Sequence, residues 1–536
     1  MIKILPFEAT KQLTETAKAH RFLTGLAIFY VFSVLWGAYR FYSPIPQLDM
    51  WDGYINFYLH ILAGDSGVWW RQHNEHLPVL ARILFYFDLA WFGGQSRLLI
   101  PINVVLVFFS WYMLLLYARL FLQDRAETVS FYYLLVLLTV MALSWKQDEN
   151  IIWAFQGQFW LAYLIPLSAF YWLARSETDR HKQGIYFSLA CLLGVLSAGT
   201  MANGIFALPL MFVMSLALRK KAFYSAILAL AAVLVAGLYL YNYQTPVGHN
   251  SIIDNVVQKP WQTVLFFVEY VGVPPKNIYA SFLFGIFHLY LIAVVLLNIK
   301  QHRDNPFYLS VVAFLLYFLA TAVITSAGRV NLGLNAALVG RYTTPALISF
   351  SLALILYLYN RPDHFKYLGK RTVIILAVLM LGTQARTVIK NVDKIHDIRD
   401  RETLWMELGS YVDEALKTGS DEFNYTKFQK IADHARLKKI SVFGIEPFVG
   451  KRQKLGQKIN DSACQKIEYT DSPVKHIYML SIDKAVPIDE AVYISNQQKQ
   501  IIGYGLPSRQ YKKSVSVILG PGVEQGAGSL ILYRCR

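Results

Sequence analysis

The chain has 536 residues, 55% hydrophobic and only 16% charged, with a mean hydropathy of +0.36, whereas an ordinary soluble domain carries about 25% charged residues. That balance excludes a soluble globular protein and points to a polytopic membrane protein. The formal net charge of +16 does not argue for a nucleic-acid partner, because the basic residues punctuate apolar runs instead of forming a stripe beside aromatics.

The N-terminal MIKILPFEATKQLTETAKAHR has no small-residue cleavage site after a short apolar core, so the first apolar run, Phe22 to Tyr42, reads as a retained helix and not as a removed signal. Pro44-Ile45-Pro46 stops it, and a first long loop, 43–97, follows. Asp49 and Asp52 stand at its start, at a water boundary where a carboxylate stays ionised. Such an acid suits a general base, which must lie within about 3 Å of the proton it takes; the bland alternative is that the two acids mark the end of a span. Further along, Pro78 predicts a helix over Leu77 to Phe87 with Leu80, Leu84 and Phe87 on one apolar face, lying in the interface because Arg82 and Asp88 interrupt it. Its start carries His73-Asn74-Glu75-His76, where free amides and imidazoles make an anion or phosphate site, with Trp69 and Trp70 as headgroup anchors. A divalent metal on His73 and His76, completed by Asp52 or Glu75, is the less favoured reading because no second histidine pair supports it. No cofactor is expected.

Ten further apolar runs follow: Leu98 to Leu120, Thr128 to Trp145, Phe159 to Ala174, Ile185 to Ala198, Gly204 to Leu218, Ala222 to Tyr241, Tyr279 to Asn298, Phe307 to Ser326, Tyr342 to Tyr359 and Thr372 to Val388. With the first, they predict about eleven transmembrane helices. The fifth and sixth are short and separated only by Gly199 to Asn203, which leaves room for a broken or re-entrant pair. Between the third and fourth runs, SWKQDENIIWAFQGQFW sets Asp148, Glu149 and Asn150 beside Trp153, Gln156 and Gln158. Planar hydrogen-bonding groups among aromatic faces suit a sugar; an aromatic belt with a polar cap is the alternative. The stretch Asn242 to Ile278 holds Lys259, Lys276 and a second interfacial helix, Trp261 to Tyr270, with Glu269 as a buried or lining acid. Thr325 to Leu347 carries Arg329 and Arg341. Arginine there snorkels to headgroups or clamps phosphate through its planar donors, and two in one loop beside Tyr342 favour phosphate.

Alternate loops collect about 18 and about 8 basic residues, and positive juxtamembrane segments stay cytoplasmic. The N-terminus is therefore expected inside and the 43–97 loop outside. An odd number of spans then puts the tail, 389–536, outside as a small α+β domain of its own. RETLWMELGSYVDEALKTG reads helical, whereas ISVFGI, HIYMLSI, AVYISN, SVSVIL and SLILYR read as strands. Cys191 reads as a packing residue, and a bridge between Cys464 and Cys535 becomes plausible if the tail is extracytoplasmic.

An inside N-terminus, an outer loop opening with acids and containing an interfacial helix, many spans and a trailing outer domain together resemble the GT-C superfamily of membrane glycosyltransferases. HNEHLPVLARILFYFD, IIWAFQGQFW and GRYTTPAL also look like segments of uncharacterised bacterial multi-pass proteins placed near that superfamily. The resemblance implies a sugar on a polyprenyl phosphate or diphosphate, transferred outside the cytoplasmic membrane to a glycan, lipid or protein acceptor, with an acid of the first outer loop as base. By position that base is Asp49 or Asp52; the adjacent Asp-Glu pair of the protein mannosyltransferase branch is replaced by Asp49-Met50-Trp51-Asp52. Arg329 and Arg341, with His73 or His76, would hold the phosphate, and Glu75, Asp148, Glu149, Trp153, Gln156 and Tyr342 would line the substrate. A transporter, flippase or polymerase of lipid-linked glycans is the competing expectation, with ionisable residues at mid-membrane and matched broken helices as the marks of transport.

Overall fold

The computed structural model describes residues 7–123, 128–244, 252–275, 277–366, 370–408, 422–445, 449–460, 462–471, 479–487, 490–509, 511–520 and 530–535. The chain divides into two compact units. The first comprises Met1–Arg40, Trp70–Ala81 and Ile100–Ala385; the second comprises Phe41–Trp69, Arg82–Leu99 and Arg386–Arg536. The 43–97 loop is thus shared: its 70–81 stretch belongs to the first unit and its remainder to the second.

The first unit is helical. Among the described residues, six helices are long and apolar enough to cross a membrane: His20–Arg40, Leu99–Leu122, Ala222–Leu240, Ile278–Leu297, Pro306–Leu332 and Gly340–Asn360. Each of the other expected spans also coincides with a helix, Thr128–Ala142, Gly157–Thr178, Gln183–Ala198, Ala207–Ala217 and Lys370–Leu408. Buried polar groups join the helices: the Tyr317 hydroxyl donates to Ala162 O at 2.6 Å, and His288 lies 3.1 Å from both Val271 O and Ser349 Oγ. A Cβ on Gly285 would stand 2.1 Å from Val268 O, so Pro260–Val271 and Ile278–Leu297 meet backbone to backbone, the close approach that small residues allow between apolar helices.

The expected break after Ala198 is present. Gln183–Ala198 ends there, a 3₁₀ turn occupies Ala202–Phe206, and Ala207–Ala217 runs only 11 residues. Eleven residues rise about 16 Å, roughly half the hydrocarbon thickness. A Cβ on Gly204 would lie 1.8 Å from Ser197 O, so only glycine lets the chain fold back this tightly on the end of the preceding helix.

The second unit is built on a seven-stranded antiparallel sheet, β1 (Cys464–Ile467), β2 (Tyr469–Asp471), β3 (Met479–Ile482), β4 (Ala491–Ser495), β5 (Ile501–Pro507), β6 (Ser514–Leu519) and β7 (Ile531–Cys535), in the order β1-β7-β4-β5-β6-β3-β2. Strand alternation, with a register shift between β4 and β5 that puts Ile501 on the same face as Tyr504, divides its two cores. Val492, Ile494, Val515 and Val517 pack on one face; Ile501, Tyr504, Ile518 and Tyr533 pack on the other, with Leu404 and Leu408 at the end of the Lys370–Leu408 helix. Asp397 of that helix accepts from Ser508 Oγ at 2.6 Å and from the Arg509 amide at 2.9 Å, which fixes the helix on the β5–β6 turn. Cys464 and Cys535 are direct partners in the β1–β7 register and form the disulfide.

Three local expectations are corrected. ISVFGI is a 3₁₀ turn, Ser441–Gly444, not a strand. β1, β2 and β5 were not anticipated; β5 contains two glycines and a terminal proline, which hide its strand character in sequence. The helix expected over Leu77 to Phe87 starts after Pro78, at Val79, and runs to Trp91. The part of the expected helix beyond 408, the start of HIYMLSI at 476–478 and the start of SLILYR at 529 lie outside the described residues.

Candidate functional site

The segment His73-Asn74-Glu75-His76 is a tight turn and not a helix start. The His73 amide donates to His76 O at 2.8 Å and the His76 amide donates back to His73 O at 2.9 Å, with Asn74 in the left-handed region at φ 49°. Both histidine amides are therefore spent on the turn and are not donors to an anion. What the turn presents instead is side chains. The His76 Nδ1 accepts from the Ala202 amide at 3.2 Å, and Leu80 N donates to Gly199 O at 2.9 Å, so the turn and the segment after it dock on the helix break. The Glu75 carbonyl accepts from the Tyr239 hydroxyl at 3.0 Å.

Against this turn comes the end of the Pro306–Arg329 helix. Arg329 Nη2 donates to Glu75 Oε1 at 2.9 Å, and the same carboxylate oxygen lies 3.6 Å from His76 Nε2. Because Nδ1 of His76 accepts a hydrogen bond, its neutral ring carries the proton on Nε2, facing Glu75. Arg341, on the 3₁₀ turn Gly340–Tyr342, pairs with Glu149: its Nη1 lies 3.6 Å from Oε1, and its backbone N–H donates to Oε2 at 3.1 Å. Asn150 fixes the same turn by donating to Arg341 O at 2.9 Å and to Thr344 Oγ1 at 2.7 Å. The Arg341 guanidinium stands 5.6 Å from the centroid of the Tyr342 ring, and that ring is 4.6 Å from Tyr270.

These groups share one electrostatic field. Burial lowers the His76 pKa; Glu75 opposes the shift, while Arg329, His73 and Arg341 reinforce it, and the result is about 4. His76 is neutral at physiological pH. For Glu75, burial would raise the pKa, but His76 and the hydrogen-bonded Arg329 reverse that effect and hold it at about 2. At neutral pH Glu75 is therefore a carboxylate and His76 a neutral imidazole beside Arg329.

A second set of predicted residues adjoins the first. The His73 ring is 5.9 Å from Phe155, itself 5.9 Å from Trp153. Gln156 is fully buried, and neither its amide oxygen nor its nitrogen has a hydrogen-bond partner among the described residues; the Trp153 indole N–H and Gln158 Oε1 are in the same condition. Buried polar groups almost always have partners in folded proteins. Amides left open beside aromatic rings are what a polyhydroxylated ligand needs. Asp148 opens the short helix Asp148–Ile152, one residue before the Arg341-bound Glu149. Glu269 is buried in Pro260–Val271, with Oε2 lacking a partner among the described residues.

The expected bases lie in the second unit and are described there. Asp52 stands in a π-helical turn, Trp51–Asn56, a distortion often found at functional positions. Its Oδ1 accepts from Asn56 Nδ2 at 3.0 Å and lies 2.9 Å from Lys427 Nζ, on the Glu422–Leu437 helix. Asp49 is exposed, and its carbonyl caps Gly53 N at 2.7 Å. In the same unit Arg82 and Asp88, expected to interrupt an apolar face, are instead on the buried side of their helix. Arg82 donates to Trp69 O at 3.0 Å and lies over Phe57, while Asp88 accepts from the Tyr54 hydroxyl at 2.5 Å and from the amides of Ser96 and Leu98 at 2.9 and 2.7 Å. Trp69 packs against Phe57 and Tyr86, whereas Trp70 is exposed.

Sequence reasoning missed Lys427, Tyr239 and Tyr270, whose partners are remote in the chain and carry no local signal. It also missed that the break at 199–203 supplies a hydrogen bond to His76, although the interrupted apolar run marked the place. No family model matches this chain, and comparison with curated proteins and with solved structures finds no match.

Proposed function

We propose that the protein is a glycosyltransferase of the GT-C kind in the cytoplasmic membrane, moving a sugar from a polyprenyl-phosphate-linked donor to a cell-surface glycan or lipid acceptor on the outer side. The observation that carries this reading is the meeting, within one unit that contains membrane-length helices, of Arg329 and Arg341 with the His73–His76 turn beside the buried amides and rings of 153–158. A prenyl carrier keeps its tail in the bilayer and presents phosphate and sugar at the interface. Cationic donors at helix ends suit the first, and open amides among aromatic faces suit the second.

In the transfer, the acceptor hydroxyl oxygen bonds to the anomeric carbon while the bond from that carbon to the phosphate oxygen breaks. The electron pair leaves with the prenyl phosphate, whose growing charge the guanidiniums stabilise, and the hydroxyl proton passes to a carboxylate. Asp52 or Asp49 is the base in this scheme. The Cys464–Cys535 disulfide supports an oxidising location for the sheet unit, outside the cytoplasm. The break at 199–203 gives one observation in favour of a transporter, since interrupted helices often line transport sites.

The test is the lipid fraction of cells lacking the protein. A sugar-bearing polyprenyl phosphate accumulates if transfer is the function, and it stays accumulated when Arg329→Ala or Asp52→Asn is supplied in place of the native chain. An unchanged lipid-linked pool with normal surface glycan rules transfer out, and accumulation confined to the inner leaflet indicates a flippase.

A further inference from the structure

The two arginines of the cluster hold their acids differently. Glu149 is tied to Arg341 twice, once through the guanidinium and once through the backbone amide at 3.1 Å, and the turn that bears Arg341 is itself held by Asn150. Releasing Glu149 would leave a main-chain N–H without its acceptor. Glu75 has no tether to the Arg329 backbone. Its Oε1 takes a hydrogen bond from the Arg329 guanidinium, its own backbone amide helps to hold the charge, and its Oε2 is without a partner among the described residues. A carboxylate offers about four acceptor positions, so this half-buried one keeps an open acceptor, and the neutral imidazole of His76 stands 3.6 Å away. Arg329 likewise has five N–H donors in a planar fork, of which Glu75 engages Nη2.

We propose that Glu75 is an exchangeable counter-ion: in the unliganded protein its carboxylate occupies Arg329, and the phosphate of a prenyl phosphate displaces it. This rests on the phosphate-binding role proposed above for Arg329. A phosphate presents more acceptor oxygens to the fork than the single carboxylate oxygen now bound, and Arg–phosphate pairing is commonly bidentate. The exchange keeps the neighbourhood from ever holding a bare guanidinium, which would be costly in a partly buried site. It also sets a threshold: an anion that cannot outcompete a resident carboxylate stays out. Arg341 keeps Glu149 throughout, so one positive charge, not two, is released to the incoming group.

The experiment measures binding of farnesyl phosphate and, separately, of inorganic phosphate to the full-length detergent-solubilised protein, by the ligand-induced rise in unfolding temperature and by titration. Glu75→Gln removes the resident anion and is expected to tighten farnesyl phosphate binding by about tenfold or more, while Glu149→Gln gives no tightening and Arg329→Ala abolishes binding. Glu75→Asp keeps the charge but shortens its reach, tightens binding in the same direction, and serves where the amide variant does not fold. Tightening on both probes assigns the site to the phosphate group itself; tightening on farnesyl phosphate alone assigns it to the prenyl phosphate. Binding that needs Arg329 but is unchanged or weaker in both Glu75 variants overturns the exchange and leaves the proposed function standing. If the native protein binds neither probe, the phosphate role of Arg329 falls, and the exchange falls with it.

Discussion

Two carboxylates of the first long loop, Asp88 and Glu75, are withdrawn from solvent to different degrees and are used in opposite ways. Asp88 accepts from one hydroxyl and two backbone amides, has no relative exposure, and closes its own stretch of chain through Ser96 and Leu98. From side chains Glu75 accepts one guanidinium hydrogen bond; it leaves one oxygen without a partner among the described residues and retains 24% side-chain exposure. An acid satisfied by main-chain donors is a structural knot, because nothing entering from solvent can replace donors that belong to the fold. An acid satisfied by one cation is replaceable, because any better anion can take its place. The two differ in burial, and the identity of their donors sharpens the difference.

The largest effect that sharpens this contrast comes from Asp88→Ala. It strands the Tyr54 hydroxyl and two amides in a buried place, with an expected loss of about 3–5 kcal/mol of stability, read as poor accumulation or a much lowered unfolding temperature. A variant that folds normally would reduce Asp88 to the same replaceable status as Glu75. Next in size is Arg329→Ala, expected to lower sugar transfer by about 100-fold, or roughly 2.7 kcal/mol of transition-state stabilisation, with the sheet unit still folded as judged by its intact Cys464–Cys535 disulfide. Equal losses of stability and activity would make Arg329 a packing residue.

Acid provides a third test, with its sign fixed by His76 and Glu75. His76 has its folded pKa depressed from 6.5 to about 4, and its contribution is fully present above pH 6.5 and lost as pH falls toward 4. Glu75, depressed from 4.5 to about 2, loses its own contribution from pH 4.5 downward. The helical unit is therefore expected to weaken between pH 6.5 and 4 by up to ~3 kcal/mol. His76→Gln should flatten that interval in a plot of unfolding temperature against pH and leave the lower one. A native protein with constant stability from pH 7 to 4 would place His76 in water, not against Ala202.

How much of this was legible in the sequence depends on the range of the interaction. Helices written by long apolar runs were readable, as were the break at Gly199–Asn203 and the concentration of chemistry in His73–His76, because composition and interruption are local. The pairing of Glu75 with Arg329 spans 254 positions, and that of Glu149 with Arg341 spans 192. Sequence assigned all four to a substrate site but could not reveal that each cation already holds an acid. Arg82 and Asp88 were read only as interruptions of an apolar segment; their partners, a carbonyl, a hydroxyl and two amides, are groups that composition does not register. β5 escaped for a related reason, since Gly503, Gly505 and Pro507 suppress the strand pattern while cross-strand pairing with β4 and β6 supplies it.

The smallest expected effect concerns a third acid of the same loop. Asp52 accepts from Asn56 Nδ2 at 3.0 Å and meets Lys427 with side-chain exposures of 32% and 46%. An ion pair so open contributes roughly 0–1 kcal/mol to stability, so Lys427→Ala should leave the unfolding temperature almost unmoved. Its effect on catalysis differs in kind. In the proposed transfer Asp52 would be the base, and Lys427, 2.9 Å from its Oδ1, would hold that carboxylate in place, so Lys427→Ala should lower the transfer rate by a few-fold while Lys427→Arg restores it. If transfer is unchanged in Lys427→Ala and also in Asp52→Asn, Asp52 is not the base, and the proposed role passes to Asp49, which Asp49→Asn then tests.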